Sequence, residues 1–260
     1  MKNGMWVWGF VLDEIPGAMP DMNGKSYCSL ETGAEYLGID NVIYVNSLRD
    51  ASTLDDKYFK HLANCKNVIC SLEQKKYEES ARLVSEFSLT HKNISGALID
   101  DFSVEKTKPD ELRKVYECLK SKNPDLRLYL VRYTWQDQQE LIPYLPYFDA
   151  INLWIWISTD YYWRSEYTYD VVKIKKLTGK PVLQGVYMHN YGETWHTSEE
   201  PIPMDLLQLQ LKTVVDFHRL GQIEGCVILM NGWFCRENHR EHMQWMKNYL
   251  DWFYGTTTRR

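Results

Sequence analysis

The chain has 260 residues, 44% hydrophobic and 25% charged, with a formal net charge of −5. That is enough apolar material for a sizeable core, and the length suits one α/β barrel or two small domains. No basic run is present, so nucleic acid is not an expected partner.

No segment reaches transmembrane length, and the apolar run from Met5 is short and followed at once by acids. The chain is therefore read as cytoplasmic, with a trimmed secreted form left open and no membrane partner expected. Six scattered cysteines form no Cys-x-x-Cys, which argues for neither a disulfide framework nor a zinc site. No cofactor or metal is expected. Oligomeric state is not legible.

Apolar, β-rich runs alternate with helical patterns along the whole chain. The predicted strands are Trp6–Leu12, Asn41–Asn46, Asn67–Glu73, Ile94–Asp101, Leu126–Tyr133, Phe148–Ile157, Pro181–Tyr187 and Gly225–Asn231. Helical patterns fill the gaps. The run from Pro109 to Lys120 opens with Pro and acids and ends basic. Met204 to Leu220 repeats apolar residues at helical spacing and stops at Gly221. Glu237 to Tyr254 closes the chain as an amphipathic helix.

Eight strands alternating with eight helices predict a (β/α)8 TIM barrel, as one domain over residues 1–260 with a frayed tail at 256–260. An open, doubly wound sheet would place a glycine-rich phosphate turn after its first strand. Here Asp13-Glu14-Ile15-Pro16-Gly17 follows instead.

In such a barrel the C-terminal ends of the strands carry the chemistry. Those ends are consistently polar or aromatic. Strand one ends in Asp13 and Glu14, strand two in Asn46, strand five in Arg132 and strand eight in Asn231. Strand three gives Ile69, Ser71 and Glu73 as its inner set, and strand six gives Asn152, Trp154 and Trp156. Strand seven carries Gln184 inside and leads to Tyr187 and His189, with Glu193 in the following loop. Trp135 and Trp233 follow strands five and eight. The chain holds ten Trp and 18 Tyr. Aromatic rings over the mouth suit the flat C–H faces of sugars, while the polar side chains suit hydroxyls.

Strand four ends in Gly96-Ala97-Leu98-Ile99-Asp100, followed by Asp101-Phe102. This resembles the Gly-x-x-x-Asp that ends strand four in α-amylase-like and chitinase-like barrels, members of the (β/α)8 glycoside hydrolases. The resemblance implies that Asp100 is a nucleophile or assisting acid. It supplies no second carboxylate: Phe102 stands at the chitinase-like acid position, and Arg132 to Thr134 stand where the α-amylase-like Glu would be.

The expected activity is hydrolysis of an O-glycosidic bond by strand-end carboxylates, with carbohydrate as the partner. Alignment on Gly96 turns Asp100 inward, whereas the small residues Ser95 and Ala97 would turn Asp101 inward. Regular alternation allows only one of them to face the axis. Asp100 is preferred, with Asp101 orienting it or acting as acid, and Glu73 is the first choice for the partner. Two other readings stay open. One is a metal-dependent sugar isomerase or epimerase using Glu73, Asp100 or Asp101, and His189. The other is a barrel that binds carbohydrate without cleaving it.

Overall fold

In the computed structural model the described residues are 2–11, 28–45, 54–191 and 200–255. Asp13, Glu14, Asn46 and Glu193 lie outside them.

Eight parallel strands close into a barrel in sequence order. They are β1 (Met5–Gly9), β2 (Asn41–Tyr44), β3 (Asn67–Ser71), β4 (Ile94–Ile99), β5 (Arg127–Tyr133), β6 (Ala150–Trp154), β7 (Val182–Tyr187) and β8 (Gly225–Leu229). The barrel is the expected one. Most strands end two or three residues earlier than predicted, and at β4 the two carboxylates leave the ladder for a turn.

The helices are α1 (Leu30–Leu37), α2 (Asp56–Phe59), α3 (Tyr77–Phe87), α4 (Pro109–Lys120), α5 (Tyr167–Thr178), α6 (Met204–Arg219) and α7 (Arg240–Tyr254). The α4 start follows its sequence signals: Pro109 opens the first turn, and the Lys108 N–H donates to the Glu111 carboxylate at 2.6 Å. The connection from β5 to β6 departs from strict alternation. It is a 3-10 segment, Gln138–Tyr147, containing Pro143 and Pro146. Two missing backbone donors within four residues prevent a continuous α-helix there. No helix among the described residues is long and apolar enough to cross a membrane.

The outward faces of the strands carry aliphatic residues such as Val42, Val68, Leu128, Ile151, Val182 and Val186, each fully buried beneath the helices. Each such side chain contributes roughly 1.5–3 kcal/mol by leaving water. The barrel floor is polar. The Arg127 guanidinium meets both Glu224 oxygens, at 2.6 and 3.0 Å, and lies over the Tyr129 ring. Asn67 donates to Asn41, which donates to the Met5 carbonyl. The upper interior is aromatic: Trp8 of β1 meets Trp154 of β6 edge-on, with centroids 6.0 Å apart. These strands are not neighbours, so both rings occupy the axis.

That contact fixes which residues point inward. Register pairs Tyr133 with Trp154, and a Cβ at Gly185 would collide with the Trp154 ring. Gly185 is the absent side chain that admits the indole. Tyr187, two residues on, also faces inward and packs on Trp154 at 5.2 Å.

Candidate active site

The strand-four carboxylates stand at the barrel mouth. The strand ends at Ile99, and Asp100 and Asp101 form a turn. Asp101 has φ +48°, a left-handed conformation that Asp tolerates better than most residues. That turn breaks the regular strand alternation expected from the sequence. Asp100 continues the inward parity of Gly96 and Leu98, while the reversed backbone brings Asp101 to the same rim. The Tyr133 hydroxyl donates to Asp101 Oδ1 at 2.7 Å, and the Asp101 N–H donates to Asp100 Oδ1 at 3.0 Å.

Burial, and next the adjacent Asp101 charge, push Asp100 from 3.8 to about 7, against the downward pull of the Asp101 N–H. Asp100 therefore holds a proton over much of the neutral range. Three phenols border the pair. Burial and then the charges of Asp100 and Asp101 raise the Tyr77 phenol, and Tyr133 and Tyr187 are raised by burial with these same carboxylates contributing. Each remains a hydrogen-bond donor at neutral pH. Trp156 meets Tyr133 edge-on at 5.2 Å, and Trp135 lies nearly parallel to Tyr133 at 6.4 Å. Trp135 is 68% exposed and Trp156 38%, so both offer open ring surface at the rim. Beside Trp156 lies a small pocket lined by residues including Trp156, Tyr187, His189 and Tyr191.

Several expected mouth residues take other places. Arg132 pairs in register with Leu153 and lies on the helix-facing side, not at the axis. Its guanidinium is fully buried there and donates to the Phe102 and Asp137 carbonyls, Gln138 and Glu140. It braces the loops behind the site, and Tyr133 takes the mouth position. Gln184 is likewise helix-facing, in register with Leu153 and Cys226. Leu183, Gly185 and Tyr187 form the inner set of β7.

Asn152 and Trp154 do face the axis, but they hold one another: the indole N–H donates to Asn152 Oδ1 at 2.9 Å, and Asn152 donates to the Leu183 carbonyl. Both are buried, and they form the floor beneath the mouth. Asn231 is fully buried with its carboxamide committed. Its Oδ1 accepts from the Phe10 N–H at 3.1 Å, and its Nδ2 donates to the Phe10 and Cys28 carbonyls. It clamps the chain after β1. Trp233 is not an open platform either. His189 stacks on it with centroids 3.5 Å apart, the Arg236 guanidinium lies over it at 4.3 Å, and its N–H donates to Tyr191.

His189 lines the pocket but is 1% exposed, and its Nδ1 lies 3.0 Å from His239 Nε2. Glu73 has inward parity, yet its carboxylate pairs with Lys76 at 3.3 Å, and the neighbouring charge that acts on Asp100 is that of Asp101. Among the described residues, no group of three His, Cys, Asp or Glu side chains is placed to hold a metal ion. Glu73, Asp100 and His189 thus do not assemble as the ligand set an isomerase would use.

Sequence reasoning missed Tyr133, Tyr77 and Trp8. For Tyr133 the signal was available: Tyr129, Val131 and Tyr133 alternate with Leu128, Leu130 and Arg132, and the aliphatic set belongs under the helices.

No protein-family model and no curated protein matches the sequence. Solved structures match across nearly the whole chain. A candidate alpha-L-fucosidase from Bacteroides thetaiotaomicron superposes with TM-score 0.65 at 11% identity, covering 96% of this chain and 94% of that one. A GH128 endo-beta-1,3-glucanase from Amycolatopsis mediterranei, in complex with laminaritriose, gives 0.53 at 8%, with 88% of each chain covered. A mutant tryptophan synthase alpha-subunit from Pyrococcus furiosus gives 0.54 at 10%, covering 98% and 99%. At such identities the likeness speaks for architecture: this chain is a (β/α)8 barrel, a fold it shares with glycoside hydrolases and with other enzymes.

Proposed function

We propose that the protein hydrolyses a glycosidic bond in an oligo- or polysaccharide. The observation that carries this reading is the carboxylate pair at the end of β4, with Asp100 raised to about 7 beside Asp101, and with the Tyr133 that holds Asp101 flanked by the exposed rings of Trp135 and Trp156. A carboxyl kept protonated near neutrality suits a general acid, and a second carboxyl group beside it suits an oxocarbenium-like transition state. The glycosidase neighbours add support at the level of fold.

In the proposed reaction the sugar ring lies against Trp135 and Trp156. Asp100 gives its proton to the glycosidic oxygen, the bond from that oxygen to the anomeric carbon breaks, and the leaving group departs as an alcohol. The Asp101 carboxylate, held by Tyr133, stabilises the positive charge on the ring. A water adds to the anomeric carbon and passes its proton to a base on the opposite side. Asp13, Glu14 and Glu193 are the proposed sources of that base, ahead of Glu73, whose carboxylate is engaged by Lys76.

The test is release of reducing ends from a panel of neutral and acidic glycans. Wild type is expected to cleave at least one, and Asp100→Asn to lose cleavage while still binding it. A wild-type protein that binds glycans and cleaves none refutes hydrolysis and leaves the binding barrel.

A further inference from the structure

Among the described residues Arg132 and Arg236 are buried and Arg113 and Arg127 partly so, and all but Arg236 have hydrogen-bonding partners. Arg127 is matched by Glu224, and Arg132 by two carbonyls, Gln138 and Glu140. Arg236 is the exception. It follows the 3-10 turn Asn231–Trp233 after β8, on the mouth side of the barrel, and is 4% exposed. Its Nε and Nη1 are enclosed and have no hydrogen-bond partner among the described residues.

The groups around it do not neutralise it. The indole of Trp233 lies beneath the guanidinium at 4.3 Å, which offsets part of the lost hydration and none of the charge. His239 is held neutral, its pKa pushed down to about 3 by burial and then by His189, His242 and Arg236. His242 Nε2 lies on the Ile202 carbonyl at 2.6 Å. The adjacent Glu237 is 88% exposed and faces Arg240 at 3.6 Å. Arg236 is thus a buried cation among histidines, with no carboxylate partner among the described residues.

Buried guanidinium groups are normally paired, because an uncompensated charge away from water is costly. A water molecule would satisfy the N–H groups but leave the charge. An oxyanion satisfies both, and the guanidinium is the side chain best shaped for carboxylate and phosphate oxygens. The position is informative too. Arg236 packs on Trp233, Trp233 stacks on His189, and His189 lines the pocket beside Trp156 and Tyr187. The cation therefore lies two stacked rings, Trp233 and His189, away from that pocket, on the β8 side of the rim that carries Asp100 and Asp101.

We propose that Arg236 anchors an anion subsite that takes an oxyanion substituent of a sugar ligand, either the carboxylate of a hexuronate or the phosphate of a phosphosugar. This rests on the reading that the mouth takes carbohydrate, and it assigns that carbohydrate a negative charge.

The experiment is calorimetric titration of wild type, Arg236→Gln and Arg236→Lys with glucuronate, glucose 6-phosphate, glucose and inorganic phosphate, with folding of each variant checked by circular dichroism. At least one charged sugar is expected to bind wild type about tenfold or more tightly than glucose, the scale of one charge-assisted contact. That preference disappears in Arg236→Gln and survives in part in Arg236→Lys. Glucuronate and glucose 6-phosphate distinguish the two sources, and inorganic phosphate shows whether the sugar contributes. Equal affinity for charged and neutral sugars in wild type overturns the proposal. So does a charge preference that both variants retain. If Arg236→Gln does not fold, wild type and Arg236→Lys decide. No readout needs cleavage: charge preference without hydrolysis of any glycan keeps the subsite and removes the hydrolase, and cleavage of neutral glycans without charge preference does the reverse.

Discussion

Replacing Asp100 by Asn should remove activity and stabilise the fold, and the stabilisation should depend on pH. In the unfolded chain this carboxyl ionises near 3.8, and in the folded protein near 7. Between those values the folded state holds a proton that the unfolded state has released, so stability falls as pH rises. The loss is absent below about 3.8 and complete above about 7. A rise of that size corresponds to roughly 4 kcal/mol as an upper bound, at 1.36 kcal/mol for each tenfold change in acidity. Asp100 keeps some contact with solvent, which brings the expected figure to about 2 kcal/mol. For a chain of this length that is roughly 4–8 °C in Tm. Asn has nearly the same shape and never ionises, so Asp100→Asn should melt higher than wild type at pH 8 and level with it near pH 4. Thermal denaturation followed by circular dichroism across that range measures the gap. A gap that is constant with pH, or a variant less stable than wild type at pH 8, would refute the claim that burial and Asp101 keep Asp100 protonated.

Tyr133→Phe keeps the ring packing but removes the hydroxyl that holds Asp101 at 2.7 Å. A hydrogen bond to a charged group is worth about 1.5–3 kcal/mol, so kcat on a cleaved glycan should fall roughly 10- to 100-fold with little change in KM; an unchanged kcat removes Tyr133 from the site. Gly185→Ala puts a methyl group into the Trp154 indole and should cost about 1–3 kcal/mol in urea denaturation, with an altered near-ultraviolet spectrum. Wild-type stability and spectrum would show that the indole does not fill that space.

The barrel was legible because its rhythm is carried by many residues at once. Each strand contributes a run of apolar side chains, and an error of one or two residues at its end leaves the count unchanged. The site was harder because it depends on parity, where an error of one residue reverses the face. In β5 the charge of Arg132 suggested the solvent-filled mouth, yet it shares the face of Leu128 and Leu130 and lies under the helices. Gln184 misled in the same way beside Val182 and Val186. Asn231 and Trp233 follow β8, and their partners, Phe10, Cys28, His189 and Arg236, come from distant parts of the chain or from the turn beyond. No local pattern announces such a partnership. Asp101 is the instructive case: strand alternation forbade both carboxylates from facing the mouth, and one left-handed residue lifted the prohibition.

The Asn231 clamp bears on how the protein is made. Phe10 emerges from the ribosome 221 residues before the side chain that ties down both its N–H and its C=O. At bacterial or eukaryotic elongation rates that interval is roughly 10–40 s. Through it β1 has neither its seam partner β8 nor its clamp, and the tryptophans of its inner face wait uncovered. The nascent chain should therefore pass through a long-lived open arc of strands, with two exposed edges suited to wrong pairing. Late synthesis of the β8 turn would then end the period of greatest dependence on chaperones.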